Sequence, residues 1–294
     1  MKKILSLVMV IIMVFSFAAC NSAAIKDEAD RGTVTVYVDG KETLKFTVAD
    51  FAKKTSEQEL DGDKYYGKTL SDVISSAVDA NTIKAAFTKS TDGYACYFNS
   101  VADVFIATYK ANDAGEFESI KDDSGKDGFT ALNTSSKAKF VSDIYLLTKP
   151  VDFKVEVLKD GASYKTITID EFMSLKPQYT ALQHKYNGGA DNFEGEFLAV
   201  DAKTMFEYLQ ITPRAEDDGT KLEFYDAAGK VNTDLKSDPT NEKSIWNSYF
   251  YVLVNGSTFH DITQVDVGFT SILDGTGIRW MVSSMSKMEL TSAK

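Results

Sequence analysis

The chain has 294 residues, 44% of them hydrophobic, with 32 basic and 43 acidic side chains and a formal net charge of −11. An acidic surface repels phosphate backbones, so this balance argues against nucleic acid as a partner and against polybasic contact with anionic lipid. The chain has two cysteines, Cys20 and Cys96. If Cys20 is modified, no intrachain disulfide can form, and the aromatic and aliphatic residues must hold the fold by apolar burial.

The first 20 residues have the organisation of an export signal. Two lysines precede an apolar run from Ile4 to Phe15, and two alanines stand directly before Cys20. This start resembles a bacterial lipoprotein signal, the lipobox, although Phe17 stands where that family usually has leucine. The resemblance implies that residues 1–19 are a removed signal peptide and that Cys20 is acylated. The protein would then be exported and lipid-anchored to the outer face of the cell membrane.

An uncleaved transmembrane anchor is the alternative interpretation of this start. Its apolar stretch is shorter than the roughly 20 residues that a membrane span needs. Residues 20–32 are small and charged without apolar periodicity, which predicts a tether between the lipid and the globular part. Without the two lysines of the signal, 30 basic residues stand against 43 acidic ones, so the mature chain carries a charge near −13.

Two stretches of the remaining chain look alike and predict tandem repeat domains at 33–149 and 150–294. Val34 to Gly40 and Val155 to Gly161 each alternate apolar and polar residues and end in Asp-Gly, which predicts a strand and a hairpin turn. A second strand, short helices, further strands and one closing strand follow in the same order. We therefore predict an α+β fold of two β-rich repeats, each a mixed sheet with short helices.

The closing strands are predicted at Ala138–Leu147 and Arg279–Leu290, and short motifs recur before them. The motif residues are Tyr66, Gly67, Leu70, Asp92, Gly93 and Tyr94 in the first repeat and Phe193, Gly195, Leu198, Gly277, Arg279, Trp280 and Val282 in the second. They resemble the molybdopterin-binding domain of the sulfite oxidase family. That family has a Tyr/Trp-x-Gly-x-x-Leu segment, a strand ending in Asp-Gly-Tyr, and a closing Gly-x-x-Arg-Trp-Val strand.

The resemblance implies a ligand site near these segments, with Tyr66, Tyr94, Phe193 and Arg279 as candidate ligand-binding residues. The family holds molybdenum through a cysteine that precedes the Tyr-x-Gly segment. The equivalent stretches, 52–64 and 173–192, contain no cysteine, and a soft thiolate is the ligand that such a metal centre uses. We therefore expect no metal, no cofactor and no catalytic residue, and a molybdopterin would have to bind without its cysteine ligand.

Three other features carry weaker functional signals. The acidic loop Asp122–Gly128 lacks two of the ligands that a calcium loop needs, which favours a solvated loop. His184 and His260, the two histidines, have no nearby partner residues in the sequence for a metal site or a triad. The aromatic run from Trp246 to Tyr251 is predicted to be core, whereas an exposed Trp246 would favour glycan binding.

These features favour a surface lipoprotein without catalytic activity that binds a small ligand or an envelope protein. Its site is predicted either near the Tyr-x-Gly and Asp-Gly-Tyr segments or in a cleft between the repeats, since domain junctions favour pockets. The alternative is an extracytoplasmic oxidoreductase of sulfite-oxidase-like fold that binds a pterin or another redox cofactor. Such a cofactor would colour the protein.

Overall fold

A computed structural model describes most of the two repeats. The described residues are 32–51, 56–122, 125–134, 136–152, 154–184, 193–210, 221–226, 228–229, 231–232, 248–254, 265–273, 277–282 and 285–291. The predicted signal peptide, Cys20, nearly all of the predicted tether, Trp246 and His260 lie outside them. Among the described helices, none is long and apolar enough to cross a membrane.

The described chain is mostly β-structure with a few short helices. The strands of residues 32–152 are β1 (Thr33–Val38), β2 (Lys41–Thr47), β3 (Ser56–Leu60), β4 (Asp63–Thr69), β5 (Ala85–Ser90), β6 (Ala95–Phe98), β7 (Phe105–Ala111), β8 (Phe117–Ser119), β9 (Thr130–Leu132), β10 (Lys137–Lys139) and β11 (Val141–Leu147). Those that follow are β12 (Val155–Lys159), β13 (Ala162–Ile167), β14 (Gln178–His184), β15 (Phe193–Asp201), β16 (Lys221–Asp226), β17 (Val231–Asn232), β18 (Ser248–Val254), β19 (Val265–Leu273), β20 (Gly277–Val282) and β21 (Met285–Thr291). The helices are α1 (Leu70–Ile74), α2 (Ile169–Ser174) and α3 (Ala202–Tyr208), with 3-10 turns at Val48–Phe51 and Ala80–Thr82.

Each repeat contributes two sheets. In the first repeat, sheet A has the strand order β2-β1-β11-β5-β6, and sheet B has the order β3-β4-β7-β9-β10, with β8 pairing β7. In the second repeat, sheet D has the order β13-β12-β21-β16-β17, and sheet C joins β14-β15-β18-β19-β20 into a closed sheet. Sheets A and D are mixed, because β1 runs parallel to β11 and β12 runs parallel to β21.

The strand order of sheet A recurs in sheet D, and that of sheet B recurs in sheet C. The two smaller sheets differ at one seam. In sheet C, β14 meets β20 through the pair His184–Ile278, whereas in sheet B the described strands β3 and β10 end the sheet without pairing each other. The two repeats therefore share an order of elements, and only the second closes its smaller sheet.

The predicted hairpin turns are confirmed at both positions. Asp39 and Gly40 have φ values of 44° and 82°, and Asp160 and Gly161 have φ values of 52° and 78°. A two-residue turn with positive φ at both central positions matches the twist of the flanking strands, and an Asp-Gly pair adopts it readily.

The prediction of a β-rich fold with mixed sheets and short helices is confirmed, but each predicted repeat has two sheets, and its predicted closing strand is divided between them. Ala138–Leu147 contains the end of β10 in sheet B and all of β11 in sheet A, because Phe140 between them has a φ of 53° that ends the extended run. Arg279–Leu290 likewise covers most of β20 in sheet C and of β21 in sheet D. Each predicted closing strand therefore links the two sheets of its repeat.

Sheet A is buried on both faces. Val36 and Ile144 on one face belong to the first repeat's own core, together with Phe46, Phe98 and Phe129. The opposite face packs into a larger cluster that also contains the core of the second repeat. Its members from sheet A are Tyr37, Ala85, Phe87, Ala95, Tyr145 and Leu147. The two repeats therefore share one hydrophobic core across their junction.

A column of three tyrosines joins the repeats within this shared core. The rings of Tyr37 and Tyr145 are stacked with centroids 5.2 Å apart, and the ring of Tyr179 from β14 lies 6.2 Å from that of Tyr145. All three side chains are at most 7% exposed. Packed aromatic pairs add stabilisation beyond the area that they bury.

Substitution of Tyr145 tests whether this junction holds the fold. Tyr145→Ala removes a ring that is 2% exposed, so we expect the free energy of unfolding to fall by about 3–5 kcal/mol in urea denaturation. The control is Tyr164→Ala, since Tyr164 is 37% exposed, and a surface change of this kind stays near 0.5 kcal/mol. Equal losses for the two variants would contradict a shared core at the junction.

Candidate functional site

A cleft of about 280 Å³ lies where the first repeat meets the second, and we call it the junction cleft. Residues 94–99, at and around β6, line one wall, and residues of α2 line the other. Part of the β9–β10 turn closes one side. The side chains that give the cleft its chemistry are Tyr94, Tyr97, Asn99, Asn133, Asp170 and Ser174.

The β6 wall is the edge of sheet A. Ser90 N donates to Tyr94 O at 2.8 Å, and the β5–β6 register is regular from this point to Phe98. In an antiparallel pair, residues alternate between directing their backbone groups at the partner strand and away from it. Tyr94, Cys96 and Phe98 therefore direct N–H and C=O groups at β5. Ala95 and Tyr97 direct theirs outward.

The second repeat covers only the start of this edge. Tyr94 forms an isolated antiparallel bridge with Gln178, and Tyr179 N donates to Gly93 O at 2.9 Å. Further along β6, the pairing would involve Pro177, which precedes Gln178 in the chain. The pairing cannot continue there, because proline has no N–H. Lys176 before it has a φ of 56°, which turns the chain towards α2. No other described strand pairs with the outer edge of β6.

Gly93 explains why the Asp-Gly-Tyr segment lies at the junction. Its φ is 85°, and a Cβ placed there would lie 3.3 Å from Tyr179 O. Asp92 Oδ1 accepts a hydrogen bond of 3.1 Å from Tyr94 N, which stabilises the turn. The segment therefore holds the edge of sheet A against β14.

The opposite wall begins with a capped helix. Thr168 and Glu171 form a capping box, in which Glu171 Oε2 accepts from Thr168 N at 2.7 Å. The Glu171 carboxylate is thus occupied within its own helix. The neighbouring Asp170 is exposed, lines the cleft, and forms no hydrogen bond or ion pair with any described residue.

Tyr94 and Cys96 lie on one face of the β6 segment, because alternate residues of a strand share a face. The Cys96 thiol is 4% exposed, and burial raises its pKa to about 11. A thiol that resists ionisation does not suit a metal that needs a thiolate. Cys96 is the cysteine of the described chain, and no group of three or more metal-ligating side chains occurs in that part. With its raised pKa, the Cys96 thiol does not fit the role of a molybdenum ligand.

Tyr66, a second candidate residue, is built into sheet B. It is 4% exposed, its hydroxyl donates to the carboxylate of Glu57, and its ring contacts Phe117 edge-on with centroids 3.7 Å apart. A Cβ on the adjacent Gly67 would lie 1.9 Å from Ile106 O, so this glycine allows β4 to approach β7. Tyr66 does not line the junction cleft, and the Tyr-x-Gly segment serves packing within sheet B.

The other two candidates lie on the backbone of sheet C. Phe193 begins β15, where it is paired with His184, and Arg279 follows Ile278, which is also paired with His184. The structure therefore places these two positions near each other on the closing seam, at the opposite end of β14 from the bridge between Gln178 and Tyr94. Their side chains lie outside the described part. Tyr94 is the candidate residue that reaches the junction cleft.

Five of the six side chains that give the cleft its chemistry were not among the residues predicted from the sequence, and three of them show why. Tyr97, Asn133 and Asp170 come from an edge strand, a turn and a helix that meet only in the folded chain. The sequence did contain a local indication for Asp170. Thr168 and Glu171 have the spacing of a capping box, which uses the Glu171 carboxylate but not that of Asp170. The aromatic run is confirmed as core at Phe250 and Tyr251, which are each 1% exposed.

The buried Cys96 thiol predicts a dependence of stability on pH. Because the thiol ionises near pH 9 in the unfolded chain and near pH 11 in the folded one, stability is lost as pH rises through this range. The stability difference between wild type and Cys96→Ala should shrink by about 1–2 kcal/mol between pH 7.5 and pH 10.5 in urea denaturation. A difference that stays constant with pH would contradict the burial of this thiol.

No protein-family model matches the chain, and no curated protein matches it either.

Proposed function

We propose that this protein is an exported, lipid-anchored lipoprotein that binds a small ligand in the junction cleft without catalysing a reaction. The observation that supports it best is the cleft itself, which both repeats line with polar and aromatic side chains. Clefts at domain junctions are preferred ligand sites, and a few polar groups among aromatic ones give orientation and specificity. The cleft volume of about 280 Å³ favours a small ligand over a large one.

The repeats are proposed to be degenerate copies of the molybdopterin-binding domain of the sulfite oxidase family. Support comes from the order of motifs in the sequence and from the strand order that both repeats share. The Tyr-x-Gly and Asp-Gly-Tyr segments persist for packing reasons, at Gly67 and Gly93, whereas the thiolate that would hold the metal has no counterpart. A scaffold that keeps its packing residues without its metal ligand supports binding rather than redox chemistry.

The anchoring part of the proposal rests on the N-terminal sequence. Acyl chains bury methylene groups at about 0.8 kcal/mol each, and stable attachment requires more than one chain. Residues 20–32 would then separate the repeats from the membrane surface. A ligand would be taken up outside the cytoplasm and close to the membrane.

Acylation at Cys20 is tested by metabolic labelling with radioactive palmitate in the host. We expect Cys20→Ala to lose the label, because the thiol that carries the lipid is absent. Cys96→Ala is the control and should keep the label, since Cys96 is buried. Label that persists in Cys20→Ala would show that the anchor is not attached there.

Ligand binding in the junction cleft is tested by blocking it. Ser174 is exposed on α2 at the cleft, so Ser174→Trp should fill the cleft with little effect on the core. The matched control is Ser75→Trp, because Ser75 is exposed at the end of α1 and its hydroxyl donates to Asp72 O at 2.8 Å, as that of Ser174 donates to Glu171 O at 2.6 Å. In a thermal-shift screen of small metabolites, wild type and Ser75→Trp should respond to the same compound, and Ser174→Trp should not.

Two results would contradict this proposal. A compound that stabilises Ser174→Trp as strongly as wild type would bind outside the junction cleft. Stoichiometric molybdenum or a bound chromophore in protein purified from its native host would support the oxidoreductase alternative instead.

A further inference from the structure

We propose that the ligand of the junction cleft is a short peptide in extended conformation with a free, positively charged amino group. This inference rests on the proposed function, since it names the chemical class of ligand for the same site. It draws on three independent features of the cleft: an open strand edge, one available carboxylate, and a limited length.

The open edge of β6 supplies peptide-like hydrogen-bonding groups. Tyr97 directs its backbone N–H and C=O groups away from β5, and no described strand pairs with them, whereas Ala95 is buried beside the bridge to Gln178. An extended peptide can add to such an edge as a further strand, using main-chain hydrogen bonds for affinity. The walls of the cleft limit the approach to this edge, which reduces the tendency of an exposed edge to pair with other chains.

The charge of the residues that line the junction cleft determines which end of a peptide would bind there. Asp170 is the charged side chain among the residues that line the cleft, and none of the lining residues is basic. Its carboxylate has no partner among the described residues, because the capping box occupies Glu171 instead. A cationic group beside Asp170 would form an ion pair with this carboxylate. The aromatic ring of Tyr97 lies close to Asp170 and offers the same cation a second favourable contact.

The dimensions of the cleft limit the ligand to a few residues. Ala95–Phe98 has four residues, which span about 13 Å at the rise of a β-strand. The cleft volume of about 280 Å³ lies just below the range of about 300–1,000 Å³ that is usual for ligand pockets. A free peptide of about three residues fits these limits, whereas a long segment of a folded partner does not. Because pairing uses main-chain groups, side-chain selectivity is expected to be low.

The requirement for a positively charged amino group is tested with two peptides. Trialanine amide is the probe, and N-acetyl-trialanine amide is the matched peptide that lacks the charge. Isothermal titration calorimetry on the mature protein should show saturable binding of the free-amino peptide, and acetylation should weaken it by about three- to tenfold. Asp170→Asn should remove this difference between the two peptides. Asp103→Asn, an exposed carboxylate outside the cleft, should retain it. Equal affinity of the two peptides for wild type would overturn the assignment of a cation at Asp170.

The strand pairing is tested with two further peptides, each N-methylated at one internal amide. Because alternate amides face the partner strand in a β-sheet, methylation at one position should abolish binding and methylation at the other should be tolerated. Equal effects of the two methyl groups would overturn strand addition. If a metabolite requires an open cleft at Ser174 but no peptide binds, the peptide inference fails and the proposed function stands. If no compound of either kind depends on Ser174, both fail.

Discussion

The fold depends on the burial of sheet A on both faces. Tyr37, Phe87 and Tyr145 form an aromatic outer face that would expose a large apolar area if the first repeat stood alone. The second repeat covers this face. In sheet D, the positions equivalent to Phe87 and Tyr145 by strand register are Glu223 and Glu289, which are partly exposed. Sheet D therefore presents acidic side chains at the positions where sheet A presents aromatic rings.

The junction cleft is a consequence of this docking. Covering sheet A brings β14 against the edge of β6, where Gly93 permits close contact with Tyr179. Pro177 and Lys176 then end the pairing and turn the chain back towards α2. A space remains between β6 and α2 because Pro177 lacks the N–H that would continue the hydrogen bonds between the strands. The same contact that closes the shared core thus leaves a cleft beside it.

The motif residues behind the family resemblance and the residues of the cleft have largely different roles. Gly67 allows two strands to approach each other, and Tyr66 is hydrogen-bonded to Glu57 within sheet B. Only the Asp92–Tyr94 segment joins both roles, because it makes the junction and also contributes Tyr94 to the cleft. Most of these short motifs therefore have packing roles, and the chemistry of the cleft arises where elements far apart in the chain meet.

The sequence by itself determined the local structure of this protein. Alternation and Asp-Gly pairs were enough to predict the hairpins at Asp39 and Asp160, because such turns depend on the conformations of two adjacent residues. Only the tertiary structure decided that Phe140 divides a predicted strand between two sheets, that β6 is an edge, and that Tyr97 faces Asp170 across a cleft. These features depend on which apolar faces pack together, and that packing joins residues far apart in the chain that no local pattern links.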